Sequence, residues 1–200
     1  MGGRGSKGKG LAVSFSNKSE ADRFFGGGGG GSNQNEWESG LDKNEKNAIN
    51  DYTALGYGAI NRTLRNEGYD NAPKGMKRTI DNIKSALDRY ELKKDIMVYR
   101  GVSNSFFGGN YSSADINNMF VGQTFVDNGF VSASALKERA FNRKYTLEIK
   151  VPRGVGRGAY ISPLSTFKRE AEFLLQRGTK FTITGAREEN GKTVVQVIAK

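Results

Sequence analysis

The sequence predicts an α+β domain with its helices first and its strands later. Two observations carry the prediction. From Asp42 to Tyr90 apolar residues recur at three- and four-residue spacing, the period of a helix with one buried face. Beyond Ile96 they gather instead into short runs separated by Gly, Pro, Asn and Asp, the punctuation of strands and turns. Helical and strand-like segments do not alternate, which argues against a parallel α/β sheet.

Taken in order, Met1 to Gly10 (MGGRGSKGKG) is rich in glycine and cations and predicts a flexible tail, drawn over residues 1–13, ahead of a single domain over 14–200. Gly3 to Gly10 nearly spells a phosphate-binding loop. However, Gly10 stands where Ser or Thr would hold magnesium, and no strand precedes it. Leu11 to Phe15 reads as a short strand, Ser19 as the cap of a helix through Phe25, and Gly26 to Gly31 as a flexible connector. Ala48, Ile49, Tyr52 and Leu55 form a helical stripe that continues past Gly56 as Tyr57, Ile60, Asn61 and Leu64 and stops at Gly68. Met76 to Tyr90 follows Pro73 with Ile80, Ile83 and Leu87 on one face.

Strands are expected at Ile96 to Gly101, Thr124 to Ser134, Tyr145 to Val151, Ala159 to Ser162, Glu172 to Leu175, Lys180 to Arg187 and Thr193 to Ala199, the last two joined at Asn190-Gly191. Short helices are expected at Ser112 to Phe120 and Leu136 to Asn142. Gly154, Gly156 and Gly158 follow Pro152 and lead into a strand, so they read as a turn and not as a dinucleotide fingerprint.

Composition narrows the chemistry. The chain has no cysteine and no histidine, which removes disulfides, thiolate metal sites, thiol nucleophiles and the commonest general base. Any reaction must use carboxylates, hydroxyls, Tyr, Lys or Arg, and this favours one that passes through a stabilised cation. A net charge of +10 favours an anionic partner, although Lys and Arg are spread along the chain. No apolar run is long enough to span a bilayer, and the N-terminus lacks the apolar centre of a signal peptide.

Glu170 and Glu172 are the centre of the candidate site. If Glu170 to Leu175 is extended, the two carboxylates share a face while Ala171 and Phe173 point into the core. Repulsion between the acids, set against Lys168, Arg169 and Arg177, can separate their pKa values. Arg100 ends an apolar strand, where its guanidinium can fork onto a phosphate or position a carboxylate. Ser132 and Ser134 share one strand face and can hold a carboxylate. Each also has a structural reading: a solvated strand face, a rim cation, strand filler.

In this order, the residues resemble the ADP-ribosyltransferase exoenzyme family, the Arg-Ser-Glu class that includes the enzymatic components of clostridial binary toxins and related phage enzymes. The resemblance runs from about Ser14 to Val197. It rests on Ala48-Ile49-Asn50-Asp51-Tyr52-Thr53, Tyr57 with Ile60-Asn61 and Leu64-Arg65, and Val98-Tyr99-Arg100-Gly101. It continues through Gly129-Phe130-Val131-Ser132-Ala133-Ser134, Val151-Pro152-Arg153-Gly154, and Leu164-Ser165 leading to Glu170-Ala171-Glu172.

The resemblance implies a split mixed β core of two facing sheets, with NAD as substrate in the cleft and no metal. It gives Arg100 the NAD phosphates, Ser132 the orientation of Glu172, and Glu172 the stabilisation of an oxocarbenium-like transition state as nicotinamide leaves. Glu170 engages an acceptor arginine on a target protein. Gly101, Tyr57, Asn61, Arg65 and Ser134 fall at positions around the NAD site, with Phe141 stacking on nicotinamide and Arg143 or Lys144 meeting phosphate. The loop from Ile161 to Arg169, with Phe167 near its tip, contacts the target.

The family's Ser-Thr-Ser is Ser132-Ala133-Ser134 here, and the outer serines are kept. Two hundred residues leave no room for a receptor-binding or translocation domain, so the chain is expected to be a companion-delivered toxin component, a phage- or cell-expressed modifier, or a segment of something larger, set in the cytoplasm of the producing or target cell. Two rival readings are a basic nucleic-acid-binding module, which lacks an aromatic-and-basic recognition motif, and a catalytically silent member of the same fold.

Overall fold

The computed structural model describes residues 11–26, 29–140 and 143–200. Most of the expected tail, Gly27 and Gly28 of the connector, and Phe141 lie outside the described residues. The helices are α1 (Lys18–Phe25), α2 (Gln34–Gly40), α3 (Lys43–Asp51), α4 (Tyr57–Asn66), α5 (Lys74–Asp88) and α6 (Ser113–Met119). The strands are β1 (Glu91–Leu92), β2 (Ile96–Val102), β3 (Thr124–Asp127), β4 (Val131–Ser134), β5 (Tyr145–Val151), β6 (Gly154–Val155), β7 (Gly158–Tyr160), β8 (Glu172–Leu175), β9 (Thr179–Glu189) and β10 (Lys192–Ala199).

Local chemistry sets the helix limits. The cap of α1 is Asn17, not Ser19: its Oδ1 accepts from Glu20 N at 2.9 Å, and a helix beginning at Ser19 would leave that donor unpaired. α3 opens with a capping box between Asp42 and Glu45. Gly68 ends the α4 stripe at φ 82°, where its N–H bonds back to Thr63. Ile80, Ile83 and Leu87 of α5 are fully buried, as their spacing predicts. α2 is absent from the sequence expectation because QNEWESG holds one apolar anchor and no period. Trp37 supplies the packing, donating Nε1 to Ala86 O at 2.7 Å and meeting Tyr90 edge-on.

Leu11 to Phe15 is reduced to a parallel bridge between Val13 and Ile96, so residue 13 already belongs to the domain. The helix expected at Leu136 to Asn142 is a 3-10 turn at Lys137–Arg139. Buried Ala135 and Leu136 are spent on the exit from β4, and Ala140 is extended.

Eight strands run in the order β3-β9-β10-β5-β2-β4-β8-β7. Among the strand pairs of the described residues only β10 and β5 are parallel, and the sheet is therefore mixed. β2 and β4 share one residue pair, Tyr99 with Ser134, so the sheet divides there into two halves. The segment Thr124 to Ser134 is two strands, because Asp127-Asn128-Gly129 breaks it; β3 joins β9 at one end of the sheet while β4 joins β8 and β2 near the other. Asn190 and Gly191, both at positive φ, form the β9–β10 hairpin as expected. A continuous core of Tyr52, Tyr90, Phe130, Ile149, Tyr160 and Phe173 lies between helices and strands. Among the described residues no helix is long and apolar enough to cross a membrane.

Candidate active site

The site forms where β2 and β4 part. Arg100 follows the last shared pair, and its guanidinium enters the gap, where Nη1 donates to Ser132 O at 2.6 Å. Burial first, then the neighbouring Arg65 charge, pushes the Arg100 pKa down from its ordinary value. It has no carboxylate within ion-pair distance among the described residues. A desolvated cation without a counter-ion is a site prepared for an anion.

Glu172 opens β8 and is 7% exposed. Ser132 Oγ donates to its Oε1, and Ser165 Oγ lies 3.4 Å from its Oε2. Burial raises the Glu172 pKa and the charge of Glu170 adds to the rise, while both serine hydroxyls and Arg100 act the other way. The carboxylate is therefore held in place but poorly solvated.

Glu170 is not on the strand. It ends a 3-10 turn, Lys168–Glu170, and Ala171 then adopts φ 48°, ψ 49°, a left-handed conformation that costs a non-glycine residue about 1–3 kcal/mol. Hydrogen bonds to the neighbouring segment hold it: Ser134 Oγ donates to Glu170 O at 2.7 Å and Ala135 N to Ala171 O at 2.9 Å. The alternation argument was thus wrong in mechanism, yet both carboxylates line one cavity of about 560 Å³ with Ser132, Arg100, Tyr57 and Phe167. Ala171 and Phe173 are fully buried, as expected. Arg177 belongs elsewhere, at the far end of β8, with its guanidinium 4.8 Å over the Tyr69 ring.

A second cavity of about 630 Å³ adjoins the first, and Arg65, Arg100, Gly101 and Arg143 line both. Exposed Tyr57 stands at the first cavity's wall. Asn61 uses both ends of its amide: Nδ2 donates to Tyr52 Oη at 2.9 Å and Oδ1 accepts from Phe130 N at 2.9 Å. Gly129 is required beside it, since a Cβ there would come within 2.7 Å of Asn61 Oδ1. Arg65 makes a two-pronged pair with Asp127, at 2.8 and 3.0 Å. The Ser134 hydroxyl is consumed by Glu170 O and Leu136 N, so it fixes loops and does not face the cavity as a free group.

A π-helical turn, Tyr52–Gly56, joins α3 to α4. It leaves Leu55 89% exposed, outside the helical stripe that the spacing assigns it to. This region also anchors the loop before Glu170, through Asn50 Nδ2 to Leu164 O at 3.1 Å and Thr166 N to Thr53 Oγ1 at 3.0 Å. The loop presents Phe167 half exposed. Sequence reasoning missed Asp127, the bracing roles of Asn50, Tyr52 and Thr53, and the contact from Ser165. The Asp127-Asn128-Gly129 turn was the available signal for the first.

The family model described as ADP-ribosyltransferase exoenzyme matches residues 30–200. The NAD(+)–arginine ADP-ribosyltransferase EFV of Enterococcus faecalis is 34% identical over 169 residues, covering 80% of this chain and 32% of that protein; the chain thus spans under a third of that relative's length. Mono-ADP-ribosyltransferase C3 of Hathewaya limosa is 27% identical over 173 residues, 78% of this chain and 68% of that protein. The solved structure of Plx2a, an ADP-ribosyltransferase toxin from Paenibacillus larvae, matches with a TM-score of 0.82 at 27% identity over 94% of this chain and 99% of that one. With its cleft built at the split of the sheet and its match across most of its length, this chain belongs to the ADP-ribosyltransferase exoenzyme family.

Proposed function

We propose that this chain transfers ADP-ribose from NAD to an arginine of a target protein and releases nicotinamide. The observation that carries the reading is a buried glutamate, Glu172, clamped by a serine hydroxyl and sharing one cavity with a second glutamate and with Arg100, which has no ion-pair partner among the described residues. The residues fit NAD. Arg100 and Arg143 offer cations to its phosphates, Arg65 with Asp127 and Asn61 with Tyr52 stiffen the wall, and Gly101 and Tyr57 line the space for the nicotinamide half.

As the glycosidic bond to nicotinamide lengthens, positive charge grows on the ribose C1′, and the Glu172 carboxylate steadies it at low dielectric. The leaving group is already a cationic ring, so it needs no acid, and a chain without histidine can perform the step. Ser132 holds Glu172 in orientation. Glu170 accepts the incoming guanidinium and takes its proton, which an amide could not do. The name of the Enterococcus relative supports arginine as acceptor. The loop 161–169 with Phe167 forms the face toward the target, and the reaction takes place in the cytoplasm of the producing or target cell.

Incubation with labelled NAD and agmatine, a small guanidine acceptor, tests the reading. Wild-type protein labels agmatine and releases nicotinamide, and Glu172→Gln loses both by about a hundredfold or more, the order for removing a group that stabilises developing charge. Undiminished turnover in Glu172→Gln overturns it.

A further inference from the structure

β8 opens with Glu172 and runs out toward Arg177, an arginine that the mechanism above leaves idle. The turn over residues 176–179 that carries it is fastened by hydrogen bonds. Gln176 N donates to Arg157 O at 3.2 Å, Gln176 Nε2 to Asp88 Oδ1 at 2.9 Å, Gly178 N to Asp127 O at 2.7 Å and Thr179 Oγ1 to Gln176 O at 2.5 Å. The Arg177 guanidinium is itself held by its stack over the Tyr69 ring, which fixes the plane and leaves the N–H edge free to donate. Its Nε is buried, and among the described residues it is the one buried side-chain nitrogen or oxygen without a hydrogen-bond partner. A buried donor left unpaired is destabilising until something accepts from it.

Beside this turn lies a cavity of about 120 Å³ lined by Arg157, Arg177 and Lys200, with Gln176 and Thr179. That is about four times the ~30 Å³ that one water takes up in the liquid, room for a single tetrahedral oxyanion. No acidic side chain lines the cavity, and none of the three cations has an ion-pair partner among the described residues. It shares no lining residue with the two cavities at the split of the sheet. We propose that this cavity binds a phosphate dianion, either the free ion or the head of a phosphomonoester. Arg177 donates to it through Nε and a neighbouring guanidinium N–H, the two-pronged geometry that suits an oxyanion, while Arg157 and Lys200 balance its charge. Because the turn and the guanidinium are fixed beforehand, little ordering is needed on binding.

The test titrates inorganic phosphate into the full chain, in a buffer without other oxyanions. It reads the arginine Nε–H signals by proton–nitrogen NMR, with affinity from calorimetry and thermal melts alongside. The Arg177 signal, identified by its loss in Arg177→Lys, should shift and saturate, and the melting temperature should rise with phosphate. Arg157→Gln, and Arg177→Lys, which keeps the charge but not the fork, should each weaken binding about tenfold or more. Both should release nicotinamide from NAD at the wild-type rate. Arg100→Gln, which weakens any phosphate binding in the NAD cleft, should leave the Arg177 shift intact. Glycerol 3-phosphate separates the sources: the same shift assigns the cavity to phosphomonoesters as well, and its absence assigns it to the free ion. An Arg177 signal that neither ligand moves overturns the proposal. So does phosphate affinity that survives Arg157→Gln and Arg177→Lys undiminished and is lost in Arg100→Gln.

Discussion

At the scale of single residues, Glu172 links stability to the proposed reaction with opposite signs. Its folded pKa lies above the ordinary 4.5, so the folded chain holds that proton more tightly than the unfolded one. Stability therefore falls as pH rises from about that ordinary value through the raised one, and the ionised form that the proposed reaction needs is the form the fold disfavours. Glu172→Gln should melt higher than wild type near neutral pH and lose that advantage in acid, which thermal melts across pH would show. The rate of nicotinamide release should rise with pH through the raised pKa. Ser132→Ala removes a hydrogen bond that holds this pKa down, so it should move the acid limb of that profile to higher pH. An unmoved limb would mean that another group titrates. Asn61→Ala leaves the Phe130 N–H and the Tyr52 hydroxyl without partners in a buried wall, and should cost about 2–3 kcal/mol in denaturant unfolding.

At the scale of elements, the site depends on irregular pieces more than on regular ones. The left-handed Ala171 aims Glu170 and Glu172 into one cavity, and the π-helical turn holds the loop that carries Glu170. A β-branched side chain is a poor fit to positive φ, so Ala171→Val should destabilise the turn and cut transfer to the acceptor. Comparing transfer with nicotinamide release would locate the damage, with transfer falling further. These pieces also mark the limit of what the sequence discloses. β5 and β8 are legible to the residue, β5 because Tyr145, Leu147, Ile149 and Val151 alternate with polar residues and β8 because Phe173, Leu174 and Leu175 form a short apolar run, while α5 is legible as an element from the spacing of Ile80, Ile83 and Leu87 but runs Lys74–Asp88 where Met76 to Tyr90 is expected. Arg100, Ser132 and the two glutamates are legible by type and order. The left-handed turn at Ala171 is not, since it follows from hydrogen bonds to residues Ser134 and Ala135 that are distant in sequence. α2 is hidden for a similar reason: its one anchor, Trp37, has meaning only against Ala86 and Tyr90.

At the scale of the whole molecule, the division of the sheet at Tyr99 and Ser134 opens a cleft without interrupting the core beneath it. The helices brace that core. Buried Glu45 caps α3, accepts from Ser85 Oγ at 2.8 Å and pairs with Arg89 at 2.6 Å; burial alone would raise its pKa, and these hydrogen bonds outweigh it and leave the pKa lowered. Its contribution is present above the ordinary carboxylate pKa and is lost as pH falls through the lowered one. Glu45→Ala should therefore cost about 2 kcal/mol near neutral pH, with the difference shrinking in acid.

The central claim is a division of labour in which Glu172 supports the cation on the sugar and Glu170 receives the nucleophile. The most direct measurement is the ratio of agmatine labelling to NAD hydrolysis in Glu170→Gln. The account predicts that labelling collapses while hydrolysis, which needs only water and Glu172, persists. Full arginine transfer by Glu170→Gln would contradict it.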